Sequence, residues 1–185
     1  MWYRAMTKME FSYPTIWGER KMDKPIFTEV LQIGIVVDDL DAYMKRYHDD
    51  YGIGPWLVYD FNKETVRNMT IRGEKVDYSM KIALCDAHNV QWELIEPTDD
   101  RSVYAEFLKQ HGPGLHHVAL GTENHDDVVK TMAARGNEVI QSGIFHKIGY
   151  TYLNTTKDLG FIAEIYHIPE GFELPAPLRT YPPQS

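Results

Sequence analysis

Four side chains in this 185-residue sequence carry metal-ligand chemistry at matched places: Gln32, Glu93, His117 and Glu164. Each interrupts an apolar run. Gln32 lies in Val30-Leu31-Gln32-Ile33, Glu93 in Trp92-Glu93-Leu94-Ile95, His117 in His116-His117-Val118-Ala119 and Glu164 in Ile162-Ala163-Glu164-Ile165. Two stretches of the chain repeat one pattern, in which Gln32 aligns with His117 near the start and Glu93 with Glu164 near the end. If the stretches are structural copies, four strands bring four polar side chains to one point. A carboxylate in an apolar strand is costly unless it is paired, hydrogen-bonded or metal-bound. For either Glu taken alone, a solvent-facing place on a half-buried strand is the simpler reading. The matched positions favour convergence. Three oxygen donors and one imidazole suit a five- or six-coordinate divalent ion with positions left for water or substrate oxygens, so zinc, nickel, cobalt, manganese, iron(II) and magnesium all fit. The lack of thiolate ligands argues against a closed structural zinc site. Open positions beside a carboxylate are an arrangement for proton transfer next to a polarised carbonyl.

The elements that must position these residues follow an alternating pattern. Residues 27–37 read as a strand, and Asp38-Asp39 supplies the N-cap of a helix bearing Leu40, Tyr43, Met44 and Tyr47 on one stripe. Gly52 and Gly54-Pro55 end it. Strands near 56–61, 78–85 and 90–95 complete a βαβββ unit. In the second half, a strand over 116–120 leads to a helix over 126–134 with Val128, Val129 and Met132 as its stripe, and Gly136 stands where a C-cap glycine belongs. Strands near 138–140, 150–154 and 161–166 make a second βαβββ unit. The expected class is α+β: two tandem βαβββ modules forming a curved mixed sheet around a metal site. The division is an N-terminal extension (1–25), a first module (26–97), a linker with a short helix over 103–110 (98–114), a second module (115–168) and an extended C-terminal tail (169–185). Trp2, Tyr3, Phe11, Tyr13 and Trp17 make the extension too apolar for simple disorder, so it is expected to pack on the body or on a partner subunit. Pro175, Pro177, Pro182 and Pro183 keep the tail out of helices and central strands. Segments 62–77 and 141–149 carry no readable motif and are expected to be loops that shape a pocket.

Bulk properties exclude some partners. A formal charge of −8 offers no basic face for nucleic acid and argues against an anionic membrane surface. No apolar run approaches the roughly 20 residues that span a bilayer, and residues 1–21 mix aromatics with charges rather than forming a signal-peptide core. Cys85, the single cysteine, rules out an intramolecular disulfide and fits a reducing compartment, so a cytoplasmic location is the default. Its apolar setting marks it as a core thiol.

These segments together resemble the vicinal oxygen chelate superfamily, the glyoxalase/bleomycin-resistance/dioxygenase fold, nearest its glyoxalase I and methylmalonyl-CoA epimerase branch. The carriers of the likeness are the run from Gln32 to Asp41, Trp92-Glu93-Leu94-Ile95-Glu96-Pro97, Gly114-Leu115-His116-His117-Val118-Ala119 and Gly160-Phe161-Ile162-Ala163-Glu164-Ile165. The resemblance implies metal ligands from the first and last strands of each module, hence Gln32, Glu93, His117 and Glu164. It implies a divalent metal cofactor, removal of a proton α to a carbonyl and stabilisation of the resulting enolate on the metal. It gives the base role to Glu164, with Glu93 working from the opposite face. The reading is a metal-dependent isomerase, epimerase or lyase acting on a small carbonyl or acyl-thioester compound, in a fold that often dimerises. Gln at the first ligand position, followed by Glu, His and Glu, is the order of eukaryotic glyoxalase I, so a lactoylglutathione lyase is the first alternative. A metal-free binding protein of the bleomycin-resistance type is the second, and the retained Glu93, His117 and Glu164 speak against it. The epimerases place a carboxylate where Lys81 stands, which leaves Lys81 as a base only if burial lowers its pKa.

Other polar residues have quieter readings. His116 is expected to face away from His117 across the strand in a structural role. Tyr150, Tyr152 and Asn154 share one face and could line a pocket or fill the core, and Trp56 after Gly54-Pro55 is similar. No phosphate-binding glycine loop, HExxH or Gly-x-Ser-x-Gly motif occurs.

Overall fold

A computed structural model describes residues 25–183. The elements run β1 (Val30–Val36), α1 (Leu40–Tyr51), β2 (Trp56–Phe61), β3 (Val66–Ile71), β4 (Glu74–Lys75), β5 (Met80–Ala87), β6 (Val90–Pro97), α2 (Val103–His111), β7 (Gly114–Leu120), α3 (His125–Ala134), β8 (Val139–Phe145), β9 (Ile148–Leu153), α4 (Thr156–Leu159), β10 (Ile162–His167) and β11 (Arg179–Tyr181). All strands join one curved, unclosed mixed sheet in the order β11-β2-β5-β6-β1-β7-β10-β9-β8-β3-β4. At its centre β1 and β7 pair antiparallel, and each is flanked by a parallel partner, β6 and β10. The orders β2-β5-β6-β1 and β8-β9-β10-β7 mirror one another, as the internal repeat predicts.

Local chemistry sets the boundaries. Asp39 caps α1 by accepting from the Ala42 N–H at 2.9 Å, and Gly52, at φ 68°, closes it in the left-handed conformation. Ser102 and Asn124 cap α2 and α3 in the same way. The α1 stripe buries Leu40 and Met44 on the outer face of the first half-sheet, against Val58, Ala83, Cys85 and Leu94. On the second half, α3 buries Val128 and Met132 against Leu153 and Ile165. The inner face holds the largest cluster, where Val36, Tyr59, Phe61, Tyr78, Ile95, Phe145, Tyr150 and Tyr152 meet Val103 and Tyr104 of α2.

Segment 62–77 is not a loop. It forms the β3–β4 hairpin, which leaves the first half and pairs with β8 of the second. Val66, Met69 and Ile71 turn inward, with a register shift between Arg67 and Thr70 and Asn68 at φ 54°. That bulge breaks the two-residue alternation by which a strand is recognised. Arg72 and Gly73, both at positive φ, make the tight turn to β4. Segment 141–149 is likewise mostly strand, the β8–β9 hairpin. The proline-rich tail adds β11 at the sheet edge, on β2. The aromatic extension over residues 1–24 lies outside the described residues. Among the described residues no helix is long and apolar enough to cross a membrane.

Candidate metal centre

The site grows from one row of the sheet. Gly34 of β1 stands opposite Glu93 of β6 on one side and His117 of β7 on the other. One row away Gln32 faces Ala119, which faces Glu164 of β10. Strand alternation sends Glu93 inward and Leu94 toward α1, and sends Ile162, Glu164 and Tyr166 inward while Ala163 and Ile165 turn outward.

Glu93, His117 and Glu164 converge. One ligand atom from each lies within 4.8 Å of the other two. His117 Nε2 is 3.3 Å from Glu93 Oε2 and 3.1 Å from Glu164 Oε2. His117 is fully buried, Glu164 is 2% exposed and Glu93 7%, so the cluster is withdrawn from bulk water with Glu93 at its most open side. Solvent-facing placement of the two carboxylates is therefore excluded.

Both His117 Nε2 and Glu93 Oε2 are buried without a hydrogen-bond partner. An unsatisfied buried group costs about 1–3 kcal/mol, more when charged. Donors about 2.1 Å from one ion, in adjacent octahedral positions, stand about 3 Å apart, close to the separations seen here. Two carboxylates and one imidazole converge, and the orphaned His117 Nε2 and Glu93 Oε2 among them fit a divalent cation.

Electrostatics within the protein agree. Burial opposes the His117 charge, but Glu164, then Glu93, outweighs it and pushes the imidazole up to about 9. Burial raises the Glu93 carboxyl, with His117 pulling the other way. Two carboxylates against one imidazolium still leave an excess of buried negative charge when both are ionised.

His116 does not face away from His117. The pairing of β1 with β7 shifts register between Gly34 and Ile35, whose partners are His117 and Leu115. This bulge at His116 cancels the alternation, and both rings are buried with their Nδ1 atoms 3.0 Å apart. His116 packs against Tyr104, Phe107 and Tyr152. Burial, then the His117 charge, holds its pKa well below the ordinary value, so it is neutral. A neutral His116 Nδ1 can accept from His117 Nδ1–H, so the proton that His117 gives up on metal binding is the one on Nε2, facing the carboxylates.

Gln32 is buried, but both ends of its carboxamide are engaged. Nε2 donates to Gln91 Oε1 at 2.8 Å and Oε1 accepts from the Tyr166 hydroxyl at 2.7 Å. The same hydroxyl is 2.8 Å from Glu164 Oε2. Tyr166 was not among the sequence candidates. Its place two residues beyond Glu164, on the same face of the strand, was the available signal. Around the centre, Tyr104 donates to Tyr152 at 2.7 Å, and Tyr78 and Tyr150 share a hydrogen bond of the same length. Tyr150 and Tyr152 thus fill the inner face, whereas Asn154 is exposed. Trp56 is buried on the other face, under α1. Lys81 is exposed between the inward Met80 and Ile82 and does not reach the centre. Burial, with Asp86, pushes the Cys85 thiol up to about 11, as suits a core thiol.

Residues 31–152 match the glyoxalase/bleomycin resistance protein/dioxygenase superfamily. The chain belongs to this superfamily. No curated protein matches the sequence. Among solved structures, the methylmalonyl-CoA epimerase of Mycobacterium tuberculosis shares 22% identity at a TM-score of 0.60, over 80% of this chain and 94% of that one. A Streptomyces coelicolor methylmalonyl-CoA epimerase variant in complex with 2-nitronate-propionyl-CoA shares 24% at 0.60, over 80% and 99%. A hypothetical protein from Bacillus halodurans shares 20% at 0.61, over 79% and 98%. At these identities the likeness establishes the superfamily fold.

Proposed function

We propose that this superfamily member is a divalent-metal-dependent isomerase or epimerase that removes a proton α to a carbonyl. The observation that carries the reading is the convergence of Glu93, His117 and Glu164, with His117 Nε2 and Glu93 Oε2 left without hydrogen-bond partners. These three residues would hold the ion. When bound, it would supply positive charge to offset an oxyanion developing on the substrate.

The protein's own groups account for the rest. Glu164 takes the proton from the α-carbon, and the electrons of that C–H bond become the C=C bond of an enolate as the carbonyl oxygen gains charge. Returning a proton to the α-carbon completes the isomerisation. Glu93 projects from β6, across His117 from Glu164, which supports a role in returning the proton from the opposite face. Lys81 takes no part, because it lies on the outer side of β5. The buried tyrosine shell keeps water from quenching the carbanion.

A small carbonyl or acyl-thioester compound is the proposed substrate class. Structural neighbours in complex with 2-nitronate-propionyl-CoA and with methylmalonyl-CoA support the thioester form. The order Gln32, Glu93, His117, Glu164 supports a second reading, a glyoxalase I-type lyase that uses the same proton transfer on a hemithioacetal.

Metal analysis of protein purified without chelator, followed by deuterium wash-in at the α-carbon of acyl-CoA, hemithioacetal and keto-sugar substrates, tests the proposal. Exchange with wild type and none with Glu164→Gln is the expected result. Failure to bind any divalent ion overturns the metal centre, and exchange retained by Glu164→Gln overturns the base.

A further inference from the structure

Gln32 and Glu164 occupy one row of the sheet but are two strands apart, with only the Ala119 methyl between them. Two interstrand spacings are about 9.6 Å, so some group must span the gap if the residues are to act together. Tyr166 spans it. Its hydroxyl stands 2.7 Å from Gln32 Oε1 and 2.8 Å from Glu164 Oε2. The far end of the carboxamide is anchored in turn, because Gln32 Nε2 donates to Gln91 Oε1 and Gln91 Nε2 donates to Asp86 Oδ1 at 2.9 Å. These bonds run from the surface inward and fix which end of Gln32 points at the phenol.

The Tyr166 phenol has one proton, and both atoms that face it are acceptors, so that proton is shared between Gln32 Oε1 and the Glu164 carboxylate. Held by Gln32 on one side, Tyr166 has little freedom to rotate away from Glu164 on the other. We propose that Tyr166 is a positioning residue for Glu164, and that Gln32 serves the metal centre through the Tyr166 hydroxyl rather than as a ligand of its own. The ligand set is then Glu93, His117 and Glu164, and Gln32 belongs to the shell that orients it. This inference rests on the metal-centre reading above. It gives Gln32 a role that does not require metal contact, and it gives Tyr166 one where the proton-transfer chemistry assigned none.

A double-mutant cycle in metal affinity tests it, using the full chain titrated with cobalt(II) in a calorimeter. Tyr166→Phe and Gln32→Met each remove one side of the bridge while keeping side-chain volume. Each is expected to weaken cobalt binding about 10- to 100-fold, the range for outer-shell partners. The double variant is expected to be no weaker than the weaker single, since both changes break one unit. Tyr59→Phe removes a phenol hydroxyl that donates to the Pro175 carbonyl and not to the cluster, and it is expected to bind cobalt as wild type does. The visible absorption of the cobalt-loaded protein is a second readout, expected to keep its band positions in Gln32→Met.

Wild-type affinity in Tyr166→Phe, losses that multiply in the double variant, or bands that move in Gln32→Met but not in Tyr166→Phe would each overturn the proposal. Absence of cobalt binding in wild type would be a different failure. It would remove the metal centre itself, and this inference with it.

Discussion

The imidazole of His117 lies across Gly34, which has no side chain to obstruct it. A Cβ built on Gly34 would stand 1.8 Å from His117 Cε1 and 2.2 Å from Nε2. Contacts under 3.0 Å do not occur in real packing, so an added methyl must displace the ring or the strand. Gly34 is therefore a steric determinant of where His117 Nε2 points. Gly34→Ala is expected to destabilise the metal-free protein by about 1–3 kcal/mol, the ordinary cost of overpacking, and to weaken cobalt(II) binding at least tenfold. Denaturant unfolding and calorimetry measure the two effects, and wild-type cobalt affinity would show that the ring finds another route.

Metal-free protein should lose stability as the solution becomes alkaline. The folded pKa of His117, about 9, lies above its ordinary 6.5. Stabilisation from the charged imidazole is therefore fully present below about pH 6.5 and is lost as pH rises through 9. A shift of this size corresponds to about 3 kcal/mol. Unfolding midpoints between pH 6 and 10 should show this slope in wild type and lack it in His117→Gln.

Metal binding should respond in the opposite sense. The His117 proton must leave before Nε2 can bind a cation, so apparent cobalt affinity should rise with pH up to about 9 and then level off. Titrations in buffers of different ionisation enthalpy count the released protons. Release of none below pH 8 would remove His117 from the ligand set.

Ser102 stabilises α2 without touching the centre. Its buried hydroxyl caps α2 by accepting from the Ala105 N–H at 3.2 Å, and α2 carries the Tyr104 and Phe107 rings that pack on His116. Ser102→Ala is expected to cost about 1 kcal/mol of stability, read from denaturant midpoints, with cobalt affinity within a few-fold of wild type.

Lys81→Met should leave both cobalt affinity and α-carbon exchange within about twofold of wild type, because an exposed side chain on the outer face reaches neither the ligands nor the substrate. A loss of exchange comparable to that of Glu164→Gln would reinstate Lys81 as a base.

The sequence carried more of this protein than its low identity to solved relatives suggests. Strand alternation and the internal repeat determined that Glu93, His117 and Glu164 face one interior. Asp39, Gly52 and Ser102 determined where α1 begins and ends and where α2 begins. These are local properties, set by side-chain period and by capping within a few residues.

Tertiary structure alone decided the rest. The bulge that turns His116 toward His117 is a mismatch between two strands, and a single strand's pattern does not contain it. The crossing of β3 to β8 was hidden because the same kind of irregularity broke its alternation near Asn68. Tyr166 could be placed on the face of Glu164 from its spacing, but its contact with Gln32 depends on β1, β7 and β10 lying side by side in one register. Registry between residues 134 positions apart in the chain is set by packing the whole sheet, and local sequence has no term for it.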